Sequence, residues 1–146
     1  MPWLAYVGQR CGITIAISFA FLAGGCGGNL CPVEGKLLWK DGSPAKELSG
    51  SQVVFECAEK RTSSIAVIQA DGTFRMQTIK PDDGVPAGHH KVAVLEHRPN
   101  SNAAGTQLTP AKLDLKYADL NSSGLEADIK PGKNEVTFKL DRAPQQ

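Results

Sequence analysis

The residue best placed to undergo chemistry in this 146-residue chain is Cys26. It closes a segment in which Arg10 precedes an apolar run, Gly12 to Ala23, followed by Gly24 and Gly25. A charged start, a short apolar stretch and small residues at its end are the marks of a cleaved export signal. As a helix, an apolar run of about 12 residues reaches roughly 18 Å, well short of a hydrocarbon core about 30 Å thick. Cleavage before Cys26 would free a thiol that can be converted to a thioether-linked diacylglycerol. The segment Leu22-Ala23-Gly24-Gly25-Cys26 is one glycine longer than the usual Leu-Ala-Gly-Cys form of such a lipidation site. Two acyl chains give stable anchoring where one is marginal. Simple secretion with a free Cys26 and an uncleaved anchor are the alternatives; on the favoured reading the expected partner is membrane lipid, and the expected location is the cell envelope, facing the periplasm or the exterior.

The remaining reactive side chains do not assemble into a catalytic set. The histidines are His89, His90 and His97. His89 and His90 are neighbours on a strand pattern and point to opposite faces. His89 and His97 share a face, but eight residues at about 3.3 Å each separate them by roughly 26 Å, against zinc–ligand bonds of about 2 Å. No metal site and no cofactor are expected. Asp41, Asp71 and Asp119 sit in turns, where an Asp side chain caps its own backbone. They lack the repeated Asp-x-Asp spacing and terminal Glu of a calcium loop. Ser63, Ser64, Ser122 and Ser123 have no Gly-x-Ser-x-Gly setting, so no catalytic residue is assigned. Cys31 and Cys57 are left once Cys11 departs with the signal and Cys26 takes lipid. An oxidising exterior favours pairing them, while the alternative is that Cys57 is a small core residue.

The elements that must position these residues are strands. Val33, Gly35, Leu37 and Trp39 share one parity; Val53, Phe55 and Cys57 share another face; His90, Val92 and Val94 a third. This is the period-two alternation of half-buried strands. Ile65 to Ile68 is continuously apolar, which predicts a central strand, and Asp71-Gly72 before Thr73-Phe74-Arg75-Met76 predicts a hairpin. Leu125 to Ile129 and Glu135 to Leu140 complete the set, joined by Lys130-Pro131-Gly132-Lys133-Asn134. Residues 98–112 read as a long exposed loop, which is either no more than a disordered crossover between the sheets or, with Lys116-Tyr117 behind it, the place where a partner docks. Phe74, Val92, Val94, Val53, Phe55 and Leu140 are expected to meet between two sheets. Seven short strands with turns between them predict an antiparallel β-sandwich. The organisation read from the sequence is a signal peptide at 1–25, a tether at 26–32, the folded domain at 33–141 and a tail at 142–146.

Charge narrows the function further. Removing residues 1–25 takes away one Arg and no acid, leaving 15 basic and 15 acidic residues. A polyanion binder needs a basic stripe, and here the two signs are interleaved, so nucleic acid is not an expected partner.

Several phrases together resemble a known family. They are Val33-Glu34-Gly35-Lys36-Leu37 leading to Asp41-Gly42-Ser43-Pro44, then Val53-Val54-Phe55, Asp71-Gly72-Thr73-Phe74, and Gly84-Val85-Pro86-Ala87-Gly88 before Lys91-Val92-Ala93-Val94. Lys116-Tyr117-Ala118-Asp119, Ser123-Gly124-Leu125, Pro131-Gly132-Lys133-Asn134 and Phe138-Lys139-Leu140 follow in order. The chain is similar to the small planctomycete lipoproteins that carry a carboxypeptidase-regulatory-like, transthyretin-like domain. It departs from them in the longer lipidation site, in His90 where an aromatic residue is usual, and in lacking a proline before Lys116. The resemblance implies a seven-stranded Greek-key sandwich without catalytic residues, acting as a structural or protein-interaction module toward an envelope protein. A carbohydrate- or peptide-binding module is the alternative, and a transthyretin-like hydrolase the third reading.

Overall fold

A computed structural model describes residues 29–98 and 109–144. The segment 1–25 expected to be a signal peptide, Cys26 and most of the 98–112 loop lie outside the described residues.

The described chain is all-β. Its strands are β1 (Leu30–Cys31), β2 (Val33–Trp39), β3 (Gln52–Cys57), β4 (Thr62–Val67), β5 (Thr73–Arg75), β6 (Val85–Pro86), β7 (Gly88–Leu95), β8 (Leu125–Ile129) and β9 (Asn134–Leu140). Short 3-10 helices at Lys46–Leu48 and Leu115–Ala118 complete it. Seven strands form two sheets that do not close into a barrel, one ordered β5-β2-β9 and the other β4-β3-β7-β8; β1 and β6 pair separately.

The two sheets share one core because each contributes the residues of a single parity. Val33, Leu37, Trp39, Phe74, Phe138 and Leu140 come from the three-stranded sheet, and Val53, Phe55, Val92, Val94, Ala127 and Ile129 from the four-stranded one. Phe55 lies at the meeting point, edge-on to Phe74 with ring centroids 6.4 Å apart and to Phe138 at 6.0 Å. The six residues expected to meet between the sheets all belong to this cluster.

Pairing corrects several expectations. The sheets are not wholly antiparallel, since β2 and β9 run parallel from Val33↔Asn134 to Trp39↔Leu140. The reason lies in the turn after β8, which carries the chain into the other sheet rather than back along β8. Asn134 fixes that crossing: its amide nitrogen donates to the carbonyls of Lys130 and Gly132, and its backbone N–H donates to Pro32. Asp71-Gly72 does turn the chain back on itself, with Gly72 N–H donating to the Gln69 carbonyl, Gln69 N–H to Thr73 and an antiparallel bridge at Ile65↔Gln77, but the two arms part into different sheets, β4 pairing with β3 and β5 with β2. The apolar Ile65–Ile68 run is not central either. β4 is an edge strand with Ala66 and Ile68 turned inward, while Ile65 and Val67 are 38% and 47% exposed.

The folded region also exceeds its expected limits. Leu30 and Cys31 fall within the proposed tether yet pair with Pro86 and Val85. Arg142, assigned to the tail, forms a bridge with Leu113.

Candidate functional site

The outer face of the four-stranded sheet carries a cleft of about 380 Å³, lined by Glu56, His89, Lys91, Asp119 and Asn121 together with Ala58, Ala118 and Leu120. Strand alternation places Glu56, His89 and Lys91 on that face, opposite Phe55, His90 and Val92. The turn after the second 3-10 helix supplies the opposing wall, where Asp119 accepts the backbone N–H groups of Asn121 and Ser122 at 2.8 and 3.2 Å. Lys91 Nζ then donates to Asn121 Oδ1 across the cleft at 3.0 Å.

The neighbours of His89 raise its proton affinity. The cross-strand register sets it beside Asp128, with Nδ1 2.8 Å from Oδ1, while Nε2 faces Glu126 at 3.7 Å. The Asp128 hydrogen bond is the main cause that raises the imidazole above its ordinary value, with the Asp128 and Glu126 charges adding to it. Both ring nitrogens therefore face carboxylates. An imidazole so engaged serves as a cationic cross-link between β7 and β8, and has no nitrogen turned toward a hydroxyl or thiol that it could activate.

His90 occupies the opposite environment, fully buried on the core side, 5.7 Å from the Phe55 ring centre. Its Nε2 lies 2.8 Å from the Pro86 carbonyl oxygen. A carbonyl only accepts, so Nε2 carries the proton and donates. Nδ1 is buried without a partner. Burial is the principal cause that holds this imidazole below its ordinary value, opposed by the bond to Pro86. The folded state then binds fewer protons than the unfolded state as pH falls through about 6.5. Stability at His90 is complete above that pH and is lost on acidification, with a slope of at most about 1.4 kcal/mol per pH unit. His89, whose proton affinity is raised, acts in the opposite direction over the same range, so the test is the difference: in urea unfolding between pH 7.5 and 5, His90→Phe should lose less stability on acidification than the unsubstituted protein, and an equal pH dependence in the two overturns the assignment.

The other residues singled out from the sequence have structural partners. Asp41 accepts the Ser43 backbone N–H at 2.7 Å, and Asp71 accepts that of Thr73 at 2.9 Å, as their turn positions predict. Ser64 Oγ meets Thr78 Oγ1 at 2.7 Å; the hydroxyls of Ser122 and Ser123 donate to the carbonyls of Lys116 and Val92. His97 donates its backbone N–H to Ser51 Oγ. Cys31 and Cys57 are both buried free thiols, so the bond that pairing them would form is not made. Among the described residues, no group of three His, Cys, Asp or Glu side chains could hold a metal ion. No helix among them is long and apolar enough to cross a membrane.

Two polar clusters were not foreseen in the sequence. Asp141, just past β9, accepts from Lys116 at 2.6 Å and from Tyr117 Oη at 3.0 Å, and pairs with Lys40 at 2.6 Å. Lys116 is the leading cause that holds its carboxyl well below the usual carboxylate range. Nearby, Trp39 Nε1 donates to Glu47 at 2.6 Å, Arg142 bonds the other Glu47 oxygen at 3.0 Å, and its guanidinium lies 4.2 Å over the Trp39 ring. Both clusters tie the chain after β9 to loops at the β2 C-terminal end. The adjacent pairs Lys116-Tyr117 and Asp141-Arg142 were the available signal, but a separation of 24 residues hid their contact.

No family model matches the chain, and no curated protein does. Among solved structures it is similar to a DUF3823 family protein from Parabacteroides merdae, at 12% identity and a TM-score of 0.39. That likeness covers 78% of this chain and 46% of the other, so the chain spans about half the length of that structure.

Proposed function

We propose that this chain is an exported envelope protein, held on a membrane by lipid on Cys26, whose β-domain is a non-catalytic structural or protein-interaction module. The domain is read as a Greek-key sandwich of the carboxypeptidase-regulatory-like, transthyretin-like kind; the two sheets sharing a core around Phe55 support that reading. One observation carries the proposal. The fold takes hold at Leu30, paired with Pro86, only four residues beyond Cys26. A lipid at Cys26 would therefore keep the whole domain against the membrane surface, as a surface-attached module requires.

The sugar-binding alternative receives less support. Such modules present exposed aromatic platforms, whereas Trp39, Phe55, Phe74, Tyr117 and Phe138 are all buried.

Membrane fractionation with mass spectrometry of the mature N-terminus tests the proposal. The unsubstituted protein should sediment with membranes and begin at a diacylated Cys26. Cys26→Ser should move most of the protein to the soluble fraction, because it removes both acyl chains at once. An unmodified Cys26, or retention of the Trp3 segment in the mature protein, overturns the anchor.

A further inference from the structure

The strand registers place one set of loops at the end where the anchored segment enters. β2 and β9 begin at that end, and β3 finishes there beside the starts of β4 and β7. β8 also finishes there, linked through Lys130 to Asn134. The loops at this end are 58–61, 76–84 and 130–133. The 76–84 loop presents Ile79, which is 81% exposed and is the most exposed of the large hydrophobic residues among those described.

Ile79 is held out rather than left loose. The carboxylate of Asp83 accepts the backbone N–H groups of Thr78, Ile79 and Lys80 at 2.6, 2.9 and 2.8 Å. Thr78 Oγ1 donates to the Gly84 carbonyl at 2.7 Å, and Gly84 N–H donates to Met76 at 3.1 Å. Gly84 is in turn pressed against the backbone of Cys31 and Pro32. The loop that displays Ile79 is thus braced on the same segment that leads from Cys26 into the fold.

We propose that this end of the domain lies against the lipid surface, with Ile79 entering the interfacial region and Lys80 beside it at the headgroups. The proposal rests on the lipid anchor at Cys26. Four residues span at most roughly 14 Å when fully extended, so an acylated Cys26 confines Leu30 and the loops around it to within about that distance of the headgroups. An exposed isoleucine in water at that depth gains by leaving it. Lys80 has an apolar stem and a charged tip suited to the same boundary. The three loops carry Lys60, Arg61, Lys80, Lys130 and Lys133 against Glu59, Asp82 and Asp83, a small positive excess that suits anionic headgroups but does not by itself select the surface. The apolar tip and the tether length select it. Because two acyl chains already provide stable attachment, the Ile79 loop orients the domain and adds little to binding.

The test is a depth measurement on full-length protein purified from membranes and reconstituted in phosphatidylethanolamine–phosphatidylglycerol vesicles. An environment-sensitive fluorophore is placed at Ile79→Cys or, at the opposite end of the sheets, at exposed Gln69→Cys, and quenched by a spin-labelled lipid. Mass spectrometry of the same samples reports acylation of Cys26. The expected result is strong quenching and a blue-shifted emission at position 79, with neither at position 69. Acylated Cys26 with equal quenching at both positions, or more at 69, overturns the orientation alone. An unmodified Cys26 overturns the anchor and the orientation with it.

Discussion

Phe74→Ala is expected to cost about 3 to 5 kcal/mol, the range for deleting a buried aromatic side chain. That is a large share of the roughly 5 to 15 kcal/mol that holds a domain of this kind folded. Phe74 is 1% exposed, contacts Phe55 edge-on, and lies across the ladder directly over Gly35. The last contact makes the prediction more specific. A Cβ added at Gly35 would intrude on the Phe74 ring at Cζ, Cε1 and Cε2, so the missing side chain at 35 is the space the ring fills. Gly35→Ala should therefore also destabilise strongly, by pushing a ring that Phe55 blocks from moving. With Phe74 already reduced to Ala, the same substitution should cost far less, since the obstructing ring is gone. A double-mutant cycle by urea unfolding should show a coupling of about 1 to 3 kcal/mol, as contacting residues do. Additive losses would mean that the ring does not lie over Gly35.

Much of the face assignment was legible because period-two alternation reports directly on which side of a strand is buried. Val33, Leu37 and Trp39, or Val53 and Phe55, could be placed inward from parity alone, and all five are buried. The Asp41, Asp71 and Asp119 turns were legible for a similar reason, since each cap is made within three residues. What parity does not encode is which strand lies alongside. The β2–β9 pair joins segments a hundred residues apart in the same direction, and nothing local in Val33–Trp39 distinguishes a parallel neighbour from an antiparallel one. The Ile65–Ile68 run misled because four apolar residues in succession suggest burial on both faces, while Ile65 and Val67 stand on an outer surface.

The candidate site divides along the same line. That His89 and His90 point to opposite faces followed from their adjacency. The consequences did not: the carboxylates flanking His89 come from β8, and the unpaired Nδ1 of His90 depends on the Pro86 carbonyl claiming Nε2. Asp141 and Arg142 stood at the expected edge of the domain, where charged residues usually face solvent. Their partners Lys40, Glu47, Lys116 and Tyr117 come from loops brought together by the sheet order.

Gly84→Ala is expected to be among the most damaging single-atom additions in the domain, with a loss above about 4 kcal/mol, in the range that needs a specific steric or strain mechanism. Gly84 has φ +90°, in the left-handed region that side chains rarely adopt, and its added Cβ would fall on the carbonyl of Cys31, with Pro32 N 2.9 Å away. Both obstacles are backbone, so no rotamer change relieves them. Retreat is blocked from the other side, where Val85 is fully buried and paired with Cys31, and Thr78 holds the Gly84 carbonyl. Gly42 supplies the control. It has nearly the same φ, +87°, but nothing lies within 4 Å of an added Cβ. Gly42→Ala carries the conformational strain alone, about 1 to 2 kcal/mol. The difference between the two variants in urea unfolding thus isolates the contact that joins Cys31 and Pro32 to the Ile79 loop. Amide exchange should also show β1 and β6 losing protection first in Gly84→Ala. Equal losses at the two glycines would mean that Gly84 is conserving a turn shape only, and that Cys31 does not press against it.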